Sequence, residues 1–132
     1  MRRFLLVCLG GALGTGARYY LAVALAQGAA PALPRATLLV NLSGSYLIAL
    51  VVELSLLTGA ISQDVRLFLT TGIMGGYTTY SSFNFELLRL AGPSAAPGTA
   101  AAYLALTLAG GLVAGFLGLV TARALSRALP PA

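Results

Sequence analysis

Gly72-Ile-Met-Gly-Gly-Tyr-Thr-Thr-Tyr-Ser-Ser-Phe-Asn-Phe-Glu86 lies inside a hydrophobic run long enough to cross a membrane, yet its composition is wrong for a helix that only faces lipid. Two adjacent glycines, four threonine and serine hydroxyls and four aromatic rings share fifteen positions. Gly75 and Gly76 weaken a helix by their backbone freedom. Thr78 and Thr79 are β-branched, and their hydroxyls compete for backbone hydrogen bonds. The stretch therefore predicts a break in a membrane helix. Because a bilayer core offers no water to freed amides and carbonyls, such a break is tolerated only where protein, water or an ion satisfies them, which makes it a candidate ion or substrate site.

The rest of the chain agrees with a membrane setting. Its 132 residues are 58% hydrophobic and 8% charged, with a mean hydropathy of +0.90, far too apolar for a soluble domain of this size. All eight basic residues are arginines, scattered between apolar runs, so the net charge of +5 points to membrane topology and not to nucleic acid. Cys8 is the single cysteine and histidine is absent. Disulfide frames, cysteine or histidine metal sites and histidine proton shuttles are thereby excluded within one chain. The three acids, Glu53, Asp64 and Glu86, are far apart in sequence, which leaves hydrolytic chemistry little to work with.

Four apolar runs are expected as spans, at about residues 4–26, 37–58, 64–90 and 99–125, making one all-α, four-helix transmembrane domain over 1–132. A basic start followed by Thr15-Gly16-Ala17 also resembles a secretory signal with a small-residue cleavage site, but three further apolar runs make the protein membrane-bound either way. In the first run Gly10 and Gly14 share a helical face suited to close helix packing. Arg18, about 21 Å along the helix from Phe4, has two readings: an interfacial anchor that snorkels, or a cation lining a vestibule for an anion. In the second run Asn41 and Ser45 share a face, either as interhelical hydrogen-bonding groups or as the lining of a pore mouth. Glu53, about 24 Å beyond Thr37, reaches the far interface.

Within the third run, Gly72 and Gly76 form another small-residue pair. Tyr77, Tyr80 and Phe83, three residues apart, are expected on one face, beside Thr78, Thr79, Ser81, Ser82 and Glu86. Rings flanked by hydroxyls suit a narrow ion path, where donors replace water and positive ring edges face an anion. In the fourth run Tyr103 and Thr107 share a face that Gly111 and Gly115 continue with room for a neighbouring backbone.

Taken together, Gly10-Gly11-Ala12-Leu13-Gly14 with Arg18-Tyr19, Val40-Asn41-Leu42-Ser43-Gly44-Ser45-Tyr46, and above all Gly75-Gly76-Tyr77-Thr78-Thr79-Tyr80-Ser81-Ser82-Phe83 with Glu86 resemble the Fluc (CrcB) family of bacterial fluoride channels. The resemblance covers all four runs. It implies an antiparallel, dual-topology homodimer in the inner or plasma membrane, with fluoride as the transported ion through two pores. It further implies a central sodium ion held by backbone carbonyls at the break, by position those of Gly75 and Thr78. Tyr80 and Phe83 then fall at the family's paired phenylalanine positions, Asn41 at a vestibule, and Ser81, Ser82, Tyr103 and Thr107 along the ion path.

The chain departs from that pattern at Tyr80, where the family usually has phenylalanine, and at Gly111, which offers no hydroxyl after Thr107. Arg2, Arg3, Arg66, Arg123 and Arg127 fall on one side and Arg18, Arg35 and Arg89 on the other, a modest bias that the positive-inside rule reads as termini inside. The expected function is passive fluoride conduction and not enzymatic. The rivals are a small four-helix multidrug exporter, which needs a central acid that the first run lacks, and a structural subunit of a larger membrane complex.

Overall fold

The first two apolar runs form α1, Arg2–Leu25, and α2, Arg35–Thr58. The structure, a computed structural model, describes residues 1–26, 33–93 and 95–128. Helix α2 stops where Gly59 takes a left-handed conformation, φ 65°, and its N–H closes on Ser55 O at 3.1 Å. Ser62 restarts the chain, its side chain accepting from Val65 N at 3.4 Å, and Asp64 complements the dipole in the first turn.

The helix so begun is the broken one. Helix α3, Gln63–Leu67, runs through a π-helical stretch, Phe68–Met74, into the short α4, Gly75–Tyr77; after two extended residues the chain re-enters helix as α5, Tyr80–Leu90. The long α6, Thr99–Ala128, follows. Among the described residues every regular element is helical. Helices α1, α2 and α6 are each long and apolar enough to cross a membrane, and the remaining apolar run is divided between pieces too short to do so alone.

The break falls one step later than the glycines suggest. Gly75 keeps ordinary helical angles, φ −62° and ψ −37°, whereas Thr78 and Thr79 are extended, with ψ of 157° and 123°. Each threonine has its own task. Thr78 ends the first piece by sending both its N–H and its hydroxyl back to Met74 O, at 3.0 and 2.9 Å. Thr79 caps the second, its hydroxyl oxygen accepting from Ser82 N at 3.2 Å.

Two parallel helix pairs carry the packing. In one, α1 runs beside α3 and α4: Arg3 bonds Asp64 at 3.0 Å near their starts, and Gly10, Gly14, Gly72 and Gly76 meet backbone further along. A Cβ at Gly14 would collide with Ile73 O, and one at Gly76 with Gly11 O. In the other pair, α2 runs beside α6. Gly110 touches Leu42, Gly118 admits the Tyr46 carbonyl so closely that no Cβ fits, and Arg123 Nε donates to Glu53 Oε1 at 2.8 Å. The expected close approach at Gly111 and Gly115 thus occurs at Gly118, because those two glycines face Ser45 at ordinary distances. Large apolar side chains such as Leu9, Leu13, Leu112 and Phe116 point outward, as a lipid solvent favours.

Gly14→Ala is expected to lower stability by about 1–3 kcal/mol, since the neighbour that must yield is backbone. Gly16→Ala meets nothing within 4 Å and should be neutral or stabilising. Thermal melting of the two variants in detergent measures the difference.

Candidate functional site

The two pairs meet at the break, and α2 supplies the joint. Asn41 accepts from Thr79 N through Oδ1 at 2.9 Å and donates from Nδ2 to Thr79 O at 2.9 Å. One side-chain amide therefore satisfies both backbone groups of the residue that leaves the helix. One turn on, Gly44 lets the Thr78 methyl press against α2, leaving no room for a Cβ, and Ser43 Oγ lies 3.0 Å from Tyr77 OH. From the other side Arg18 Nε donates to Gly76 O at 3.2 Å, and Thr15 Oγ1 reaches the same carbonyl at 3.4 Å.

Among the described residues the carbonyls of Gly75 and Thr78, on either side, are left free. The Thr79 amide, which a continuous helix would aim at Gly75 O, goes to Asn41, and the Thr78 amide goes to Met74 O. Thr78 O accepts no hydrogen bond among the described residues.

Two cavities flank this joint, and Thr79 lines both. The upper, about 400 Å³, is bordered by Arg18, Arg35, Thr37, Ser82 and Glu86. The lower, about 640 Å³, is bordered by Asn41, Ser45, Gly75, Tyr80, Phe83 and Thr107. Phe83 is buried, with its ring centroid 5.3 Å from Tyr103 and 6.2 Å from Tyr80. Tyr80 is 76% exposed in the single chain. Thr107 Oγ1 is buried and has no hydrogen-bond partner among the described residues.

The break thus gathers most of the residues singled out from sequence, though not all in the arrangement expected. Tyr77 does not share a face with Tyr80 and Phe83: the two extended threonines between them reset the helical phase, and its hydroxyl faces Ser43. Tyr103 is fully buried, and its hydroxyl donates to Glu86 Oε2 at 2.7 Å. Ser81 is exposed, 3.4 Å from Thr79 Oγ1, while Ser82 Oγ accepts from that hydroxyl at 3.1 Å. Thr37 was not singled out; it donates to Glu86 Oε1 at 2.8 Å, so the carboxylate carries a hydroxyl on each oxygen. Its signal in the sequence is the four-residue spacing of Thr37, Asn41 and Ser45, which sets all three on one face of α2.

These features define an all-helical integral membrane protein whose polar groups converge on a helix break between two cavities. The sequence matches the family described as CrcB-like protein, Camphor Resistance (CrcB), over residues 5–119. It is 55% identical over 118 residues to a protein named fluoride-specific ion channel FluC from Anaeromyxobacter sp. (strain K), covering 88% of this chain and 91% of that one. A namesake from Anaeromyxobacter dehalogenans is 54% identical over the same shares, and one from Chlorobium luteolum 46% identical over 89% of this chain and 86% of its own. The chain belongs to the CrcB-like family, whose named relatives are ion channels; it is not an enzyme.

Removing the Asn41 amide takes the side-chain partner from both the Thr79 N–H and the Thr79 carbonyl. Asn41→Ala should cost about 1–3 kcal/mol for each group left unmet, and Asn41→Asp, which keeps the acceptor and loses the donor, should fall between. Thermal melting in detergent ranks the three proteins.

Proposed function

We propose that this chain is a passive, fluoride-selective channel of the inner or plasma membrane, working as an antiparallel, dual-topology homodimer with two pores and a structural sodium ion at its centre. The observation that supports it most directly is the Thr107 hydroxyl, buried without a partner among the described residues and lining the same cavity as Asn41 and Phe83. A small, strongly hydrated anion gives up water only where donors replace it, and a ring offers its positive edge. Arg18 and Arg35 border the upper cavity and favour an anion there. The names of the relatives supply the ion.

A second copy is supported by what one copy leaves uncovered. Gly75, Tyr80 and Ser81 are exposed at the break, and freed carbonyls cannot face lipid. An inverted partner brings the two breaks together at the midplane. The carbonyls of Gly75 and Thr78 then suit a hard monovalent cation: they are oxygen donors, and the amides that would occupy them in a continuous helix are turned elsewhere. Such an ion supplies a fixed positive charge beside the anion path.

Liposomes containing the purified protein should release fluoride and retain chloride; equal release of both, or of neither, overturns the reading. Tyr80 carries a hydroxyl donor beside its ring edge, and one hydrogen bond to an ion is worth about 1.5–3 kcal/mol, so Tyr80→Phe should change fluoride efflux by roughly tenfold. Phe83→Ile should lower it. Unchanged efflux in both folded variants makes this aromatic face packing alone.

Complete removal of sodium should abolish efflux and loosen the dimer. Thr78→Ser should be mild because the backbone does the binding. Full activity without sodium, or a monomer as the only active species by mass measurement, contradicts the assembly.

A further inference from the structure

On α6 the face that carries Thr107 has no side chain for the next two turns, since Gly111 and Gly115 follow at four-residue spacing; Leu108 is the other α6 residue that borders the lower cavity. Helix α6 therefore brings no hydroxyl to these two turns. Ser45, on the parallel α2, stands opposite that gap. A Cβ at Gly111 would meet Ser45 Oγ at 3.7 Å and one at Gly115 would meet Ser45 O at 3.8 Å, so each glycine faces the serine with room for a methyl group. Ser45 borders the same lower cavity as Asn41, Phe83 and Thr107.

Helix α2 brings a polar group to this route on every turn. Thr37 borders the upper cavity, Asn41 spans the joint, and Ser45 comes next at the same spacing. The Ser45 hydroxyl donates to Asn41 O at 2.7 Å. That carbonyl sits inside a continuous helix and also takes the Ser45 amide, so the hydroxyl can turn its hydrogen into the cavity without stranding a partner.

Resting on the channel reading above, we propose that the Ser45 hydroxyl is the anion-binding step below Thr107, a donor that α2 supplies where α6 has only glycine. Its ligand is a small hard anion, fluoride in that reading. Across from Ser45 on α6 stands Gly111, so no hydroxyl of α6 shares its place; the hydroxyls of Thr70, Thr71 and Thr78 that also border this cavity come from the broken helix.

The test is fluoride efflux from liposomes, on proteins shown by mass and size to assemble as the parent does. Ser45→Ala should slow efflux about tenfold, the worth of one hydrogen bond to an ion. Adding Gly111→Ser to that variant should bring efflux back to within about threefold of the parent, whereas adding Gly111→Ala, which fills space without a donor, should not. If the alanine variant fails to assemble, Ser45→Cys, similar in size and a poor donor, takes its place. Efflux by Ser45→Ala within about twofold of the parent overturns the role of Ser45 and leaves the channel reading standing. Equal rescue by Gly111→Ala and Gly111→Ser, or rescue by neither, overturns it too, because the serine then acts through packing. A parent protein that releases no fluoride overturns the channel reading and this step with it.

Discussion

A helix cannot be interrupted inside a bilayer unless something else meets the backbone groups it sets free, and here a single side-chain amide meets two of them. Asn41 faces Thr79 as a neighbouring strand would, taking its N–H and supplying its carbonyl with a donor. Everything around the site follows from that exchange. Because the Thr79 amide is turned toward α2, the carbonyl a turn before it is released; because Thr79 is extended, its hydroxyl is free to cap α5. The break is held open by α2 and is not simply a weak place in the third helix.

The remaining packing keeps that joint from closing. Arg18 and Thr15 hold Gly76 O from the α1 side, and glycines at positions 10, 14, 72 and 76 bring the two backbones close enough for those bonds to form. On the other side Glu86 ties α5 to α2 through Thr37 and to α6 through Tyr103, so the second half of the broken helix is clamped by one carboxylate with a hydroxyl on each oxygen. Close approach by small residues and hydrogen bonds between helices replace the hydrophobic drive that lipid cannot provide. Both devices are used here, glycine for the first half and side-chain bonds for the second.

That division also separates the chemistry. The upper cavity is bordered by two arginines, a carboxylate and three hydroxyl side chains; among its described residues the lower has no charged side chain, and Asn41, Ser45, Tyr80 and five threonines border it among apolar groups. Charged side chains thus lie on one side of the joint and uncharged donors on the other, beside the buried Phe83 ring. The shared Thr79 stands where one environment gives way to the other.

The apolar runs and the presence of a break are legible in the sequence, since hydropathy and the clash between hydroxyls and helix are local properties. The glycine pair in α1 and that of the third helix were legible too, as spacing alone places small residues on one face. What the chain order could not reveal was partnership. Arg18 reads equally as an anchor or a vestibule cation until Gly76 O is found 3.2 Å away, and Asn41 reads as glue or lining until both its bonds prove to lie on Thr79. Tyr77 leaves the face of Tyr80 and Phe83 because helical periodicity does not carry across the extended Thr78 and Thr79. Gly118, not Gly111 or Gly115, takes the close backbone contact because the relative shift of α2 and α6 is set by tertiary packing. Local chemistry determined that this helix breaks; only the neighbouring helices decided at which residues it does so and which groups the break leaves free.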